Sequence, residues 1–191
     1  MIISPRTILH EIPLSGHGNI RIHQYRETIA QILQGVDSRK ILIVGPCSIH
    51  DINGALKYAK KLYTLSQEVK DTFFIVMRTY VEKSRTILGW KGLLSDPARD
   101  GSSDILAGIR LTRTFLRELT DIGLPAGLEF LDPLTSNYIK DLISWGSIGA
   151  RTVQSQIHRQ LASSLPMPIG FKNTTDGNIL HAVHAALVSH H

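Results

Sequence analysis

Cys47 is the only cysteine among the 191 residues, so an internal disulfide is excluded, which fits a reducing compartment. Aromatic residues are scarce, at 6%, and few lie among the basic ones. No long run of adjacent Lys and Arg occurs, and the formal net charge of +5 is too small and too dispersed to argue for nucleic acid. Anionic small molecules account for that charge as well. No stretch approaches the roughly 20 apolar residues of a membrane span. The start, Met1-Ile2-Ile3-Ser4-Pro5-Arg6, has no apolar stretch after a basic opening, as a secretory signal would. The expected location is the cytoplasm, with neither nucleic acid nor membrane as partner.

A strand-sized apolar run occurs five times, each leading to a residue that can do chemistry. Ile41–Val44 passes through Gly45 and Pro46 to Cys47, and Phe73–Met77 stops at Arg78. Ala126–Leu128 leads to Glu129, Ser147–Ala150 to Arg151, and Pro168–Phe171 to Lys172. Amphipathic helix patterns separate the runs. They are expected over about Arg21–Gln34, from Asp51 or Asn53 onward, and over Asp104–Ile122, Ser136–Trp145, Val153–Ser163 and Asp176–Val188. Residues 1–19, broken by Pro5, Pro13, Gly16 and Gly18, read as an extended arm. The division is an N-terminal arm and helix over 1–35 and a β/α body over 36–191.

Strands alternating with helices predict a parallel sheet. In a parallel β/α barrel all strand C-termini open on one face, which holds the active site. One thiol, one carboxylate and three cations should then converge there, a setting for a small, highly anionic substrate. The count leaves two architectures open. Five strands fit an open α/β sheet, or the front part of a barrel that has eight.

Cys47 is either a buried, inert thiol, a soft metal ligand, or a nucleophile with His50. Arg78-Thr79-Tyr80-Val81-Glu82-Lys83-Ser84-Arg85-Thr86 carries three cations and hydroxyls in nine residues. It is either an anion-binding loop or a solvated loop paired through Glu82. Arg151, Lys172 and Glu129 are surface charges in most chains. Here each follows a buried-strand pattern, which favours a place at the sheet's C-terminal edge.

Four segments carry a resemblance to a known family: Gly45–Asp51; Lys83–Thr86 with Gly89-Trp90-Lys91-Gly92; Gly149-Ala150-Arg151-Thr152 with Ser155-Gln156; and Gly170-Phe171-Lys172-Asn173. From about Ile22 onward the chain resembles the first type of 3-deoxy-D-arabino-heptulosonate 7-phosphate (DAHP) synthase. The resemblance implies a TIM (β/α)8-barrel fold, with about the first five β/α units present. It implies an aldol-type condensation of phosphoenolpyruvate with erythrose 4-phosphate, the entry to the shikimate pathway and aromatic amino acids, using a divalent metal (Mn, Fe, Zn or Co). Carried over residue by residue, Cys47 would be a metal ligand. Lys83 and Lys172 would be catalytic and, with Arg78, would hold the phosphoenolpyruvate carboxylate region. Arg151 and the Ala150 backbone would hold its phosphate, Glu129 would place a water, and Arg85 and Thr86 would hold the second phosphate. A homo-oligomer and an aromatic amino acid effector are implied as well.

Two departures stand out. Ser84 replaces a family proline, which loosens the loop backbone. The family's other metal ligands, a His, a Glu and an Asp, and a further phosphate-binding Arg lie on later strands that this sequence does not contain. His181, His184, His190 and His191 read as surface or terminal residues, not replacements. The expectation is an incomplete metal site, little turnover by this chain alone, and unpaired edges on the first and fifth strands. The alternatives are a non-catalytic truncated homologue that pairs with an intact synthase, and a relative of 3-deoxy-octulosonate 8-phosphate synthase.

Overall fold

The five apolar runs form five strands: β1 (Lys40–Val44), β2 (Phe73–Arg78), β3 (Ala126–Glu129), β4 (Trp145–Ile148) and β5 (Ile169–Phe171). The computed structural model describes residues 3–85 and 87–189. Every strand pairing is parallel, and the order in the sheet is β1-β2-β3-β4-β5. The β1–β2 register runs from Lys40 opposite Phe73 to Val44 opposite Met77. A doubly wound open sheet would reverse its strand order at a switch point. Here the order never reverses, so the sheet is five consecutive units of a β/α barrel, and all C-terminal strand ends share one edge.

Six helices accompany the sheet among the described residues: α1 (Pro5–Glu11), α2 (Gly16–Leu33), α3 (Ile52–Glu68), α4 (Ile105–Ile122), α5 (Gln156–Ser164) and α6 (Leu180–Ser189). Helix α4 shows how local chemistry sets an element. The Asp104 side chain accepts from the Ala107 N–H at its start, and Gly123, at φ 104°, ends it in the left-handed region that glycine tolerates. Between them Ile109, Phe115, Leu116 and Leu119 are buried against the sheet. No helix among the described residues is long and apolar enough to cross a membrane.

The N-terminal segment differs from the expected extended arm. Ser4 caps α1 by accepting from the Thr7 N–H, and Pro5, at the first helical turn, needs no N–H partner. Ser15 caps α2 through the Gly18 N–H, so this helix starts five residues before the expected Arg21. Helix α2 is tied to the body by arginine. Arg21 Nη1 donates to the Thr120 and Asp121 carbonyls at 3.0 Å each, and Arg26 donates to those of Lys140 and Ile143 at 2.7–2.9 Å.

The expected helix over Ser136–Trp145 is absent; Thr135–Tyr138 and Lys140–Leu142 are 3-10 turns. The physical reason is competition for backbone groups. Ser136 Oγ donates to the Pro133 carbonyl and Thr135 Oγ1 to the Asp132 carbonyl. Arg113 and Arg26 take the carbonyls of Tyr138, Lys140 and Ile143 from outside. Helix α6 starts at Leu180, four residues after the expected Asp176, which instead accepts from Thr174 and the Asn178 N–H. The fourth strand lies two residues earlier than expected, which puts Arg151 in a turn beyond it.

Strands β2 to β4 are covered: Ile75, Val76, Met77, Ala126, Leu128 and Ile148 are all buried. The outer strands bear out the expected open edges. Expected to be buried, β1 leaves Leu42 40% and Ile43 38% exposed, because no strand lies on its far side among the described residues. Helix α6 is also uncovered, with Leu180, Val183, Leu187 and Val188 exposed.

Candidate active site

The strand C-termini bring most of the expected residues into one linked array. Arg78, the last residue of β2, donates from Nη2 to the Cys47 carbonyl at 3.1 Å. Its guanidinium carbon sits 3.7 Å from the centre of the Tyr80 ring. The Lys172 ammonium lies 5.1 Å from the same centre, so one aromatic ring joins the ends of β2 and β5. Tyr80 is fixed by a 3.0 Å hydrogen bond between its hydroxyl and Ser147 Oγ on β4. Tyr80 escaped the sequence reading. The available signal was its place two residues after Arg78, which puts both side chains on one side of an extended segment.

Lys172 follows β5 directly, and its N–H donates to the Ile148 carbonyl, which extends the β4–β5 pairing by one residue. Its ammonium donates to Glu129 Oε2 at the end of β3. Glu129 is therefore paired, and its side chain is only 13% exposed. Gly149 leaves room for this pair, since a Cβ there would lie 2.1 Å from Glu129 Oε1. Ala150 and Arg151 follow in the turn closed by Thr152 and Val153 on the Gly149 carbonyl. Arg151 is exposed and makes no side-chain hydrogen bond among the described residues.

Lys83 donates to Cys47 Sγ at 2.9 Å, and Cys47 is exposed. The reading of Cys47 as a buried, inert thiol is thereby overturned. Its bonded neighbour is Lys83, not His50. The Lys83 hydrogen bond, then the Lys83 charge, holds the thiol below its ordinary pKa, with smaller help from Arg78 and Arg85. Alkylation of Cys47 by iodoacetamide should therefore have its midpoint below that of an ordinary thiol, and Lys83→Met should raise it. A midpoint unmoved by that substitution would mean that the contact does not govern the thiol.

Arg85 folds back on its own loop, with Nε donating to the Trp90 carbonyl at 3.1 Å. Thr86 lies outside the described residues, as do His190 and His191. Glu82 does not pair with the loop cations. It is largely buried against the segment after β3, and burial, with the neighbouring Asp132 charge, raises its carboxyl to about 7. The solvated, Glu82-paired loop is thus not what forms.

The donor set does not fit a metal centre by itself. Among the described residues no three His, Cys, Asp or Glu side chains are grouped to hold an ion. Cys47 supplies one sulfur, already hydrogen bonded to a cation, whereas metal affinity rests on several deprotonated ligands in fixed geometry.

Comparison with known proteins agrees with this architecture. The model of the DAHP synthetase I family matches residues 17–191. The Tyr-sensitive phospho-2-dehydro-3-deoxyheptonate aldolase of Escherichia coli K12 is 46% identical over 97% of this chain and 52% of its own length. The Trp-sensitive enzyme of Enterobacter agglomerans is 48% identical over 99% of this chain and 55% of its own length. The solved aldolase of Francisella tularensis SCHU S4 superposes with a TM-score of 0.96 at 45% identity, covering 98% of this chain and 55% of that one. The chain spans about half the length of the relatives it matches. With its sequential parallel strands and cationic rim, the chain belongs to the DAHP synthetase I family.

Proposed function

We propose that this rim is the phosphoenolpyruvate-binding half of a site that condenses phosphoenolpyruvate with erythrose 4-phosphate. The observation that carries the reading is the shared Tyr80 ring, whose centre lies 3.7 Å from the Arg78 guanidinium carbon and 5.1 Å from the Lys172 ammonium at the ends of β2 and β5. Of the Arg78 guanidinium donors, only Nη2 has a hydrogen-bond partner among the described residues, the Cys47 carbonyl, so the group keeps donors for an anion. Lys172 gives one of its three donors to Glu129 and keeps two.

In this reading Arg78, Lys83 and Lys172 hold the carboxylate region. Arg151 and the Ala150 N–H hold the phosphate, and Glu129 orients a water that attacks C2. Arg85 and Thr86 receive the phosphate of the aldose. Phosphoenolpyruvate is close to a trianion at neutral pH, so fixed cations have to offset its charge as a second phosphate arrives. Holding both reactants in place removes much of the entropic part of the barrier. A divalent metal, with Cys47 as one of its ligands, would supply Lewis-acid chemistry. The described residues supply no complete site for it, so little turnover is expected from this chain alone. The two relatives named above are Tyr-sensitive and Trp-sensitive enzymes. An aromatic amino acid effector and a homo-oligomer come to this chain through the same reading.

Calorimetric titration with phosphoenolpyruvate tests the proposal. Lys172→Gln should raise the dissociation constant about 10-fold to 100-fold, the worth of a charged hydrogen bond, while Lys57→Gln on the exposed face of α3 should leave it alone. Equal weakening by both, or by neither, would remove the assignment.

A further inference from the structure

We propose that Glu82 is a positioning residue: packed beneath the Leu131–Thr135 segment beside Asp132, it pins the loop that carries Lys83 and Arg85, and its ionisation loosens both cations from the rim. The proposal rests on the reading that Lys83 and Arg85 face substrate anions.

Geometry is the first support. The loop doubles back around Glu82, with the Lys83 N–H on the Lys91 carbonyl at 2.9 Å and the Leu94 N–H on the Val81 carbonyl at 3.0 Å. Gly92, at φ 110°, closes this turn against Glu82, since a Cβ there would lie 2.7 Å from the Glu82 Cα. The backbone on either side of Glu82 is therefore clamped, and its side chain is the pin. That side chain meets the segment after β3. The backbone N–H groups of Leu131 and Asp132 face it, and Thr135 Oγ1 lies 3.5 Å from Oε1. The segment that receives it begins two residues beyond Glu129, so one small contact ties the Lys83 loop to the strand end that holds the Glu129–Lys172 pair.

Charge is the second support. The group that faces Glu82 from the segment after β3 is Asp132, a like charge. Lys83 and Arg85, the cations of its own loop, point elsewhere, to Cys47 Sγ and to the Trp90 carbonyl. The folded-over strand of the loop contributes Lys91, whose side chain is exposed. No Lys or Arg forms an ion pair with Glu82 among the described residues. The Leu131 and Asp132 N–H groups and the Thr135 hydroxyl favour the ionised form, but burial and the Asp132 charge outweigh them, so the neutral carboxyl is the better accommodated. The group titrates at about 7, so its charge changes within the ordinary working range of pH.

Amide hydrogen exchange reads the pin without any ligand. In the unaltered chain, protection factors of the Lys83 and Leu94 amides should fall about tenfold between about pH 6 and about pH 8, after correction for intrinsic exchange. Glu82→Gln should hold them level, and Asp132→Asn should move the midpoint of the fall to lower pH, because it removes a like charge that raises the Glu82 carboxyl; a midpoint that stays or moves to higher pH counts against the like-charge contact. Protection that falls equally in Glu82→Gln, or that does not fall in the unaltered chain, overturns the proposal. If Glu82→Gln does not fold, the Asp132→Asn midpoint decides. A parallel phosphoenolpyruvate titration at about pH 8 should show Glu82→Gln binding severalfold more tightly than the unaltered chain. If Lys172→Gln leaves that affinity unchanged, the substrate reading fails while the amide data still decide the role of Glu82.

Discussion

Replacing Arg113 by methionine is expected to destabilise the fold by about 3 kcal/mol, the cost of removing one partner from a buried ion pair. Arg113 is 1% exposed, on the face of α4 that packs into the body. Its guanidinium donates to both Asp141 oxygens at 2.6 and 2.7 Å, to the Tyr138 carbonyl at 2.8 Å and to the Ile12 carbonyl at 2.8 Å. Methionine fills much of the volume but donates to none of these groups. The Asp141 side chain is 32% exposed, so water relieves part of its lost partner and the cost stays at the lower end of the usual range. Urea unfolding measures the loss. The double replacement Arg113→Met with Asp141→Leu should recover part of it, because no unpaired charge remains. A loss under about 1 kcal/mol would show that the pair and its two carbonyls contribute little net stability.

Glu82→Gln is expected to stabilise the chain by about 3 kcal/mol at pH 8 and to leave it nearly unchanged at about pH 4. The carboxyl rises on folding from its ordinary 4.5 to about 7, chiefly through burial. Between those two values the folded state binds the proton that the unfolded state has lost. The stabilisation linked to Glu82 is thus complete below 4.5 and is lost as pH rises through about 7. Glutamine keeps the neutral shape at every pH and so removes the loss. Denaturation midpoints taken at both pH values check this, and an equal effect at the two would assign the change to packing instead of charge.

The parallel sheet was legible because its signal is local and repeated. Short apolar runs alternate with amphipathic stretches, and strands β1 to β3 lie within a residue of their expected bounds. The cations and the carboxylate at the sheet edge were legible for the same reason, since a residue that follows a buried run has little choice of place. What escaped depends on partners distant in the chain. The turns after β3 replace a helix because Arg26 and Arg113 reach them across 25 or more residues. Glu82 resembles a loop charge until Leu131–Thr135 is folded over it. Tyr80 gains its meaning only when Lys172 arrives from β5. Helix α1 and the start of α2 were hidden in another way: prolines and glycines read as breakers, whereas Ser4 with Pro5, and Ser15 ahead of Gly16, are starting signals.

The arginine bonds of α2 impose an order on biosynthesis. Arg26 closes on carbonyls 114 and 117 residues further along. At about 5–20 residues per second, those carbonyls are made roughly 5–25 s after Arg26 itself. Throughout that interval the nascent helix lacks these anchors, although the Thr120 and Asp121 carbonyls that receive Arg21 are made sooner. A helix made early is consequently among the last to be locked.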